Sequence, residues 1–454
     1  MTVLPIEQTA TAARGRRQPP VPRIGPAFAG LGVPAPIVAA LERAGITHPF
    51  PIQAATLPDG LAGRDILGRG RTGSGKTLAF AIPLAAALAD GYTMAGRPRG
   101  LVLVPTRELA SQVHAVLAPL AEAVGLTAAT IYGGTPQRKQ VDALRDRTDI
   151  IVACPGRLAD LMEQGHCHLG DVEVCVLDEA DHMADLGFLP VVRRLLAATP
   201  ADGQRLLFSA TLDHDVDVLV RRFLSDPAVH SADPAGAPSP MVHHVLTITT
   251  ADRLGVVTAL AGGERRSLVF TRTKHAARHL AAQLRAARIP AAELHGNLAQ
   301  GARERNLADF SSGAVRVLVA TDIAARGIHV DGIDLVIHAD PPREDKAYLH
   351  RSGRTARAGA AGTVITLQTR AQSAEVSTLL RRAGVVPLRA SARPDSALLA
   401  MIAGPRAEPV SPAAARSARA ARTSGDADGA GRQATGGAAV ALSAAYRPRS
   451  RGRR

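Results

Sequence analysis

The stretch "EVCVLDEADHM" (residues 173–183) joins an apolar run to three carboxylates within four positions. Val174 to Leu177 are apolar enough to form a strand buried on both faces of a sheet. Carboxylates clustered where a core strand ends repel one another and lose hydration, which is costly without a positive partner. The stretch therefore predicts a buried parallel strand whose carboxyl end faces something positive.

A second stretch, "GRTGSGKT" (70–77), indicates what the positive partner is. It fits the phosphate-loop pattern of Gly, four residues, Gly, Lys and Thr, and it precedes the helical segment "KTLAFAIPLAAAL". Its glycines let backbone N–H groups surround a β-phosphate, at which the following helix points its positive end. Lys76 is expected to reach the β- and γ-phosphates of a nucleoside triphosphate, and the Thr77 hydroxyl to coordinate Mg²⁺.

The two stretches are predicted to form one site, because ligands of parallel sheets bind at the carboxyl ends of the strands. Asp178 is expected to hold Mg²⁺, directly or through water. Glu179 is expected to orient and deprotonate the attacking water. The acidic cluster is therefore interpreted as half of a nucleotide-hydrolysing site.

Short apolar runs alternate with helical segments along most of the chain, which predicts an α/β fold with parallel sheets covered on both faces. The helical segment 107–124 has apolar residues at three- and four-residue spacing. A Pro- and Ala-rich stretch at 231–240 reads as a linker between two such domains. Predicted strands lie at 100–106, 149–155, 173–178 and 205–211 before the linker, and at 266–273, 315–322, 334–340 and 362–369 after it.

Composition favours a polyanionic partner. The 454 residues include 54 basic and 40 acidic side chains, a net charge of +14, with 3% aromatic residues and no Trp. This balance suggests nucleic acid before membrane, with a merely basic soluble surface as the alternative. Residues 404–454 carry ten Arg against three acids and fifteen Ala, so we expect a disordered basic tail.

Other classes find little support in the sequence. Three cysteines at irregular spacing do not form a disulfide framework, and "HCH" (166–168) lacks a second ligand pair for a metal. The first twenty residues lack the apolar core of a secretory signal, and no stretch has the length of a spanning helix. We therefore expect a soluble cytoplasmic protein without a membrane partner.

Taken together, the ordered motifs over about residues 28–385 resemble the DEAD-box ATP-dependent RNA helicases of helicase superfamily 2. The resemblance implies two tandem RecA-like domains, each a parallel sheet with helices on both faces, and a disordered basic C-terminal tail. The implied organisation is a flexible segment (1–27), the ATP-binding domain (28–230), a linker (231–242), the C-terminal helicase domain (243–386) and a tail (387–454).

The resemblance also implies where ATP binds. "GITHPFPIQ" (45–53) is similar to the adenine-recognition motif of the family, with Gln53 bonding the adenine edge and Phe28 stacking on its face. "HRSGRTAR" (350–357) supplies arginine fingers for the transferring phosphate. The implied catalytic residues are Glu179, Lys76, Arg354 and Arg357. The implied ATP-binding residues are these Arg and Lys together with Phe28, Gln53, Arg71, Thr72, Gly73, Ser74, Gly75, Thr77, Asp178, Asp322 and Gly327.

RNA contacts and coupling residues follow from the same resemblance. Motifs "PTRELA", "GG", "CPGR", "VFTRT", "HGNLAQGAR" and "ATDIAARGI" are similar to the family's RNA and ATP motifs, and "SAT" to its coupling element. The implied RNA-binding residues are Pro105, Thr106, Arg107, Gly133, Gly134, Pro155, Gly156, Arg157, Thr271, Arg272, His295, Gly296, Gln300, Arg303 and Thr321. The implied coupling residues are Asp181, Ser209, Thr211 and His350.

The sequence departs from the family pattern in several places. Gly70-Arg71 replaces Ala-Gln, and Ser352 and Ala356 replace an aliphatic residue and a Gly. Cys154 stands where Thr is usual, which puts one RNA contact in doubt, and His329 replaces an Asp, which puts the coupling between the domains in doubt. None of these changes removes a group assigned to the chemistry.

The implied function is ATP-dependent unwinding of RNA duplexes or remodelling of ribonucleoprotein by a monomer, with little sequence specificity. Ribosome assembly and RNA decay are both open as settings. Two alternatives remain: a DNA helicase of the same superfamily, and a non-hydrolysing RNA-binding scaffold. RNA- versus DNA-stimulated ATPase activity separates them.

Overall fold

The structure is a computed structural model that describes residues 27–70, 73–212, 214–231, 241–325, 330, 332–356 and 361–407. The expected N-terminal segment up to 26, the middle of the expected linker and the tail beyond 407 lie outside these ranges.

The first domain is built on one sheet. Its strands are β1 (Ile66–Arg69), β2 (Gly100–Leu103), β3 (Ala128–Ile131), β4 (Ile150–Ala153), β5 (Val174–Asp178), β6 (Gln204–Ser209) and β7 (Ala228–Ser231). A 3-10 turn at Phe28–Leu31 precedes the helices α1 (Ala35–Arg43), α2 (Pro51–Leu61), α3 (Lys76–Ala87), α4 (Arg107–Ala123), α5 (Gln137–Arg145), α6 (Pro155–Glu163), α7 (Ala180–Asp185), α8 (Leu189–Ala197) and α9 (His214–Phe223).

This sheet has the strand order β3-β4-β2-β5-β6-β1-β7, and the paired strands are parallel. Alternate residues of β2 enter two different hydrophobic clusters: Val102 packs in one, and Leu101 and Leu103 pack in the other. A strand that contributes to a core on each side must be apolar throughout, which is why its sequence is a continuous apolar run.

The second domain repeats the arrangement. Its strands are β8 (Met241–Thr247), β9 (Ser267–Phe270), β10 (Ala291–Leu294), β11 (Val317–Ala320), β12 (Leu335–His338), β13 (Gly362–Gln368) and β14 (Leu388–Ser391). Its helices are α10 (Arg253–Ala261), α11 (Lys274–Ala286), α12 (Gln300–Ser311), α13 (Asp322–Ala325), α14 (Asp345–Ser352), α15 (Ser373–Arg382) and α16 (Ala397–Ala403), with a 3-10 turn at Arg370–Gln372.

The second sheet has the order β10-β11-β9-β12-β13-β8-β14. Counted from its own first strand, this is the same order as in the first sheet, and the pairs are again parallel. Hydrophobic clusters again lie on both faces. The predicted fold of two tandem α/β domains with parallel sheets is confirmed.

The predicted end of the second domain at 386 is too early. β14 pairs in parallel with β8, and Leu399 and Ile402 of α16 are buried in the same core as the sheet. The backbone N–H of Glu264 donates to the carbonyl of Pro405 at 3.0 Å. The folded domain therefore continues to residue 407. The predicted linker is also shortened at both ends, because Ser231 and Met241 are strand residues.

The helix α4 was expected over 107–124 and is observed at Arg107–Ala123. Thr106 caps it, since its hydroxyl accepts a hydrogen bond from the N–H of Leu109 at 3.3 Å. Within the described part of the chain, no helix combines the length and the apolar character needed to cross a lipid bilayer.

Candidate active site

The candidate site lies where β5, β6 and β1 end, because these strands are neighbours in the sheet and parallel. The phosphate loop follows β1, Asp178 ends β5 and Ser209 ends β6. The N–H of Gly70 donates to the carbonyl of Ser209 at 3.1 Å, which ties the loop to the neighbouring strand end. The topology thus brings together the two stretches that the sequence paired.

The phosphate loop folds around its lysine. The Lys76 ammonium group donates to the carbonyl of Gly70 at 2.6 Å and is 5% exposed. Gly73 and Gly75 have φ angles of 89° and 93°, a region that favours glycine. The Ser74 hydroxyl is buried without a hydrogen-bond partner among the described residues. Arg71 and Thr72, also predicted to bind ATP, lie outside the described residues.

Gln53 is held against this loop. Its Nε2 donates to the carbonyl of Gly75 at 2.8 Å, and its Oε1 accepts from the N–H of Phe50 at 2.8 Å. A side chain at Gly75 would meet both Gln53 and the Phe50 ring, at 2.6 Å each. Phe50, a half-buried aromatic beside the loop, lies within the adenine-recognition motif but was missed because only Gln53 of that motif was assigned a role.

The predicted stacking of Phe28 on adenine is not what the structure shows. Phe28 is 2% exposed and packs in the hydrophobic core of the first domain, with Ile37 and Leu41. A ring covered in this way offers no open face to a base. The structure therefore supports a packing role for Phe28, which is the more common fate of a lone aromatic.

The two acidic residues at the end of β5 differ in their surroundings. Asp178 is 1% exposed, and its Oδ1 accepts from the N–H of Glu179 at 3.0 Å. Burial raises the pKa of Asp178 to about 7, although the nearby Lys76 opposes this shift. Glu179 has a φ of 53°, uncommon for a residue with a Cβ, and is 7% exposed.

Asp178→Asn is expected to raise the melting temperature of the nucleotide-free protein at about pH 8, because a buried charge is removed. The pKa of Asp178 rises from 3.8 to about 7 on folding, so the folded state binds more protons between these values. The contribution of Asp178 to the free energy of unfolding of the wild type therefore falls as the pH rises through that window. Calorimetry should show that the increase in melting temperature caused by Asp178→Asn shrinks as the pH falls towards 4. An increase that does not depend on pH would contradict ionisation of Asp178 as its cause.

A hydrogen-bond network connects the acidic helix α7 with the end of β6. Asp181 Oδ2 accepts from the N–H of Thr211 at 2.9 Å and from its hydroxyl at 3.0 Å. The N–H of Asp181 donates to the hydroxyl of Ser209 at 3.2 Å. The three predicted coupling residues of the first domain are thus in direct contact.

The predicted RNA-binding residues of the first domain lie at the ends of β2, β3 and β4, beside the phosphate-loop strands in the same sheet. Pro105, Thr106 and Arg107 follow β2; Gly133 and Gly134 follow β3; Pro155, Gly156 and Arg157 begin α6 after β4. Arg157 pairs weakly with Asp160 at 3.5 Å, and its Nη1 is buried without a hydrogen-bond partner in the described ranges. Cys154 is an unpaired thiol at the N-cap of α6, and burial raises its pKa to about 12.

In the second domain, the structure assigns Gln300 and Arg303 to a contact other than the predicted RNA contact. Arg303 Nε lies 2.9 Å from Glu108 Oε1, and Gln300 Nε2 donates to the same oxygen at 3.2 Å. All three residues are less than a tenth exposed. Their side chains join the two domains, so the prediction that they grip RNA is corrected. Glu108 was missed because the pairing spans nearly 200 residues of sequence.

The other predicted RNA-binding residues of this domain follow β9, β10 and β11. Thr271 and His295 are buried, 2% and 5% exposed, and therefore present little surface to a ligand. Arg272 is exposed, and its N–H donates to Asp340 at 2.9 Å. Gly296 and Thr321 stand at the same strand edge, at the ends of β10 and β11.

Among the arginines in "HRSGRTAR", Arg351 contacts residues of its own domain. It forms a two-pronged ion pair with Asp322, with distances of 2.5 and 2.7 Å, and donates to the carbonyl of Asp340 at 2.7 Å. Its guanidinium also stacks 5.0 Å from the centre of the Phe270 ring. Asp322, predicted to bind ATP, is thus engaged by Arg351. Gly327 and Arg357 lie outside the described residues, and Arg354 is 5% exposed.

A further contact joins the two domains close to the acidic helix. His350 of α14 lies 3.6 Å from Asp185, the last residue of α7. Because α7 begins directly after Glu179 and Arg354 follows α14, this contact places the arginine segment against the acidic segment. His350 was predicted as a coupling residue, and it is at the interface.

Comparisons with known proteins agree with the geometry. Residues 50–219 match the family model described as DEAD/DEAH box helicase, and residues 252–359 match the one described as helicase conserved C-terminal domain. The DEAD-box ATP-dependent RNA helicase 3A, chloroplastic, of Zea mays is 43% identical over 370 residues, covering 79% of this chain and 49% of the maize protein. The chain thus spans about half the length of this relative.

A bacterial relative is covered more fully. The ATP-dependent RNA helicase RhlB of Pseudomonas syringae pv. tomato is 39% identical over 357 residues, which cover 76% of this chain and 89% of that protein. Among solved structures, S. cerevisiae Dbp5 bound to RNA and ADP BeF3 matches with a TM-score of 0.71 and 26% identity. The match covers 83% of this chain and all of that one, so both domains are included.

Proposed function

Because the chain belongs to the DEAD/DEAH box helicase family, we propose that it is an ATP-dependent RNA helicase whose two RecA-like domains share one active site. ATP and RNA together close the cleft between the domains, and the bent RNA strand no longer fits a duplex. Hydrolysis to ADP and phosphate then reopens the domains and releases the RNA.

The phosphate loop binds the triphosphate. Backbone amides of 73–75 face the phosphates, and Lys76 exchanges the carbonyl of Gly70 for phosphate oxygens. The buried, unpartnered hydroxyl of Ser74 supports this assignment, since a buried polar group requires a partner. Gln53, already fixed against Gly75, retains one amide hydrogen for the adenine edge.

The donors beside the loop fit Mg²⁺. The Asp178 carboxylate and the Thr77 hydroxyl are oxygen ligands of the kind that Mg²⁺ prefers. A cation beside Asp178 also restores the charge that burial disfavours. When bound, Mg²⁺ neutralises negative charge on the phosphate oxygens. Glu179 orients the attacking water and accepts its proton.

RNA lies along the carboxyl edges of the two sheets. Arg157, with an unpartnered guanidinium nitrogen, and the exposed Arg272 bind phosphates, and backbone amides near Gly133 and Gly134 assist them. Phosphate and 2′-OH contacts carry little sequence information, so many RNAs should serve as substrates. Asp181, Ser209 and Thr211 connect the state of the nucleotide with this RNA path.

The observation that carries the proposal is the contact of His350 with Asp185. It supports a shared active site because His350 begins the arginine segment of the second domain, and Asp185 ends the helix that follows Glu179 of the first. The buried pairing of Glu108 with Arg303 supports the same closed arrangement, because a buried ion pair is costly to break.

The test is ATPase activity of the full chain with single-stranded RNA, with DNA of the same sequence, and alone. Strong stimulation of ATP hydrolysis by RNA but not by DNA supports an RNA helicase. Stimulation by DNA would favour the superfamily 2 DNA helicase, and absence of hydrolysis with retained RNA binding would favour a scaffold. Unwinding of a short RNA duplex in the presence of ATP completes the assignment.

The cellular setting is also a proposal. Three cysteines without disulfide partners are compatible with a reducing cytoplasm. We propose that the protein acts there as a monomer on ribosomal or RNA-decay assemblies. Crosslinking the protein to its RNAs in the cell and sequencing them identifies the substrate.

Deleting residues 408–454 should flatten the slope of log RNA affinity against log salt by roughly three units, if four or five tail arginines engage phosphates at about −0.7 each. The segment carries nine Arg and three acids by sequence, with Tyr446 as its single aromatic residue. Without stacking groups it acts on all RNAs alike. The deletion begins after Ala407 because the backbones of Pro405 and Ala407 form hydrogen bonds with the folded domain.

The matched control keeps the tail at full length with its nine Arg replaced by Gln. It should reproduce the flattened slope, while the maximal ATPase rate at saturating RNA stays nearly unchanged in both variants. Equal salt slopes for the truncated and full-length proteins would show that the tail does not contact RNA.

A further inference from the structure

Glu179 has an unusual backbone conformation, and a histidine side chain contacts its carboxylate. Glu179 is the N-cap of α7 with φ 53° and ψ 51°, the left-handed region that non-glycine residues visit rarely. Such a conformation persists only when the surroundings enforce it, and it is found where a side chain must be aimed. Because Glu179 does not have helical backbone angles, contacts with neighbouring groups must direct its carboxylate.

The neighbouring histidine supplies a direct contact. Nδ1 of His182, one turn later in α7, lies 3.0 Å from Oε2 of Glu179. Both residues are buried, with 4% and 7% exposure. Because an ionised carboxylate can only accept hydrogen bonds, Nδ1 carries the hydrogen and donates it. The other ring nitrogen, Nε2, is buried without a hydrogen-bond partner in the described part of the chain. Its polar contact with Glu179 is therefore what fixes the ring.

The histidine is itself anchored to the network that links the nucleotide and RNA motifs. The N–H of His182 donates to Asp181 Oδ1 at 3.0 Å, and Thr211 occupies the other oxygen of Asp181. The backbone of His182 is thus held by the same carboxylate that contacts Thr211 beyond the end of β6.

We infer that His182 is a positioning residue that holds Glu179 in the orientation needed to act on water, an inference that rests on the proposed function. A Glu side chain has three rotatable torsions, so an unrestrained carboxylate spends much of its time misdirected. The Nδ1–H donor, bound to Oε2, favours one orientation of this carboxylate. His182 contacts neither nucleotide nor RNA in this scheme, and acts through Glu179 alone.

The experiment compares three substitutions of His182 in the full chain. Asn places its amide nitrogen close to the position of Nδ1, Gln places it nearer to Nε2, and Leu removes the donor. Single-turnover hydrolysis is measured at saturating ATP and saturating poly(U), with KM for ATP and affinity for poly(U) measured separately. His182→Leu and His182→Gln should lower the rate about tenfold to a hundredfold, the cost typical of a misplaced catalytic group. His182→Asn should restore it to within a few-fold, and KM for ATP should change little in all three.

Two controls separate positioning from stability. Met183→Leu alters the next buried residue of α7 with nearly constant volume and should leave the rate unchanged. In the Glu179→Gln background, His182→Leu should cause no further loss, because the residue acts through Glu179. A normal rate for His182→Leu, a His182→Asn variant as slow as His182→Leu, or a full additional loss in the double variant would each overturn the inference. If Glu179→Gln alone retains full turnover, the proposed role of Glu179 fails instead.

Discussion

Glu179→Gln should lower the maximal rate of RNA-stimulated ATP hydrolysis by about two to four orders of magnitude, the contribution typical of a positioned general base. Gln has nearly the same size but cannot accept a proton from the attacking water. Affinity for ATP, and affinity for RNA in the absence of ATP, should stay within a few-fold of wild type, because the residues that hold the phosphates are unchanged. Single-turnover hydrolysis and equilibrium binding measure the two effects.

The variant should also remain closed on RNA. Since hydrolysis reopens the domains, RNA should leave the ATP-bound Glu179→Gln protein far more slowly than the wild type. Asp178→Asn is the control, as it should weaken binding of Mg²⁺·ATP instead of trapping the complex. A Glu179→Gln protein that hydrolyses ATP at a near-normal rate would show that another group activates the water.

The architecture could be predicted wherever strands were continuous apolar runs. Residues 174–177 and 206–208 are entirely apolar, and the runs that contain them became the central strands β5 and β6. A run of this kind in a parallel sheet is buried on both faces, so its composition alone identifies it. The amphipathic helix α4 was predicted for the corresponding reason, since one face alone is apolar.

The strands that were missed lack that signal. β3 is Ala-Ala-Thr-Ile and β10 is Ala-Ala-Glu-Leu, so each begins with two Ala residues, which have low β-propensity. β14 lies at the edge of its sheet with Leu388 and Arg389 exposed, so no apolar period marks it. Such short strands form because neighbouring strands and helices place them, and this is tertiary information that the local sequence does not contain.

For the site, the sequence predicted which groups lie at strand ends, but it did not predict which side chains contact each other. The phosphate loop and Asp178 could be paired because parallel topology fixes which ends meet. The contact between His182 and Glu179 depends on a left-handed backbone at 179, which the sequence does not reveal. The pairing of Glu108 with Arg303 depends on how two separate domains meet, which no local pattern encodes.

The arginines of the second domain can now be distinguished. Arg351 neutralises Asp322 and stacks on Phe270, so its guanidinium serves the interior of its own domain. Arg351→Ala should therefore act mainly on stability, because it leaves Asp322 without its two-pronged partner. Arg354 follows shortly after the helix whose His350 contacts the first domain, which supports its proposed role as an arginine finger.

Arg354→Ala should reduce maximal turnover by about two orders of magnitude or more, since arginine fingers contribute about 10³–10⁵ in rate. The loss should fall on the rate and leave ATP affinity within a few-fold, because charge on the transferring phosphate develops only in the transition state. Arg354→Lys is the matched variant: it keeps the positive charge but loses the planar fork, so it should recover only part of the rate. Arg351→Ala provides the contrast, with a lower melting temperature as its main effect. If Arg354→Ala hydrolyses ATP normally at saturating RNA, the second domain adds no charge to the reaction, and closure serves RNA binding alone.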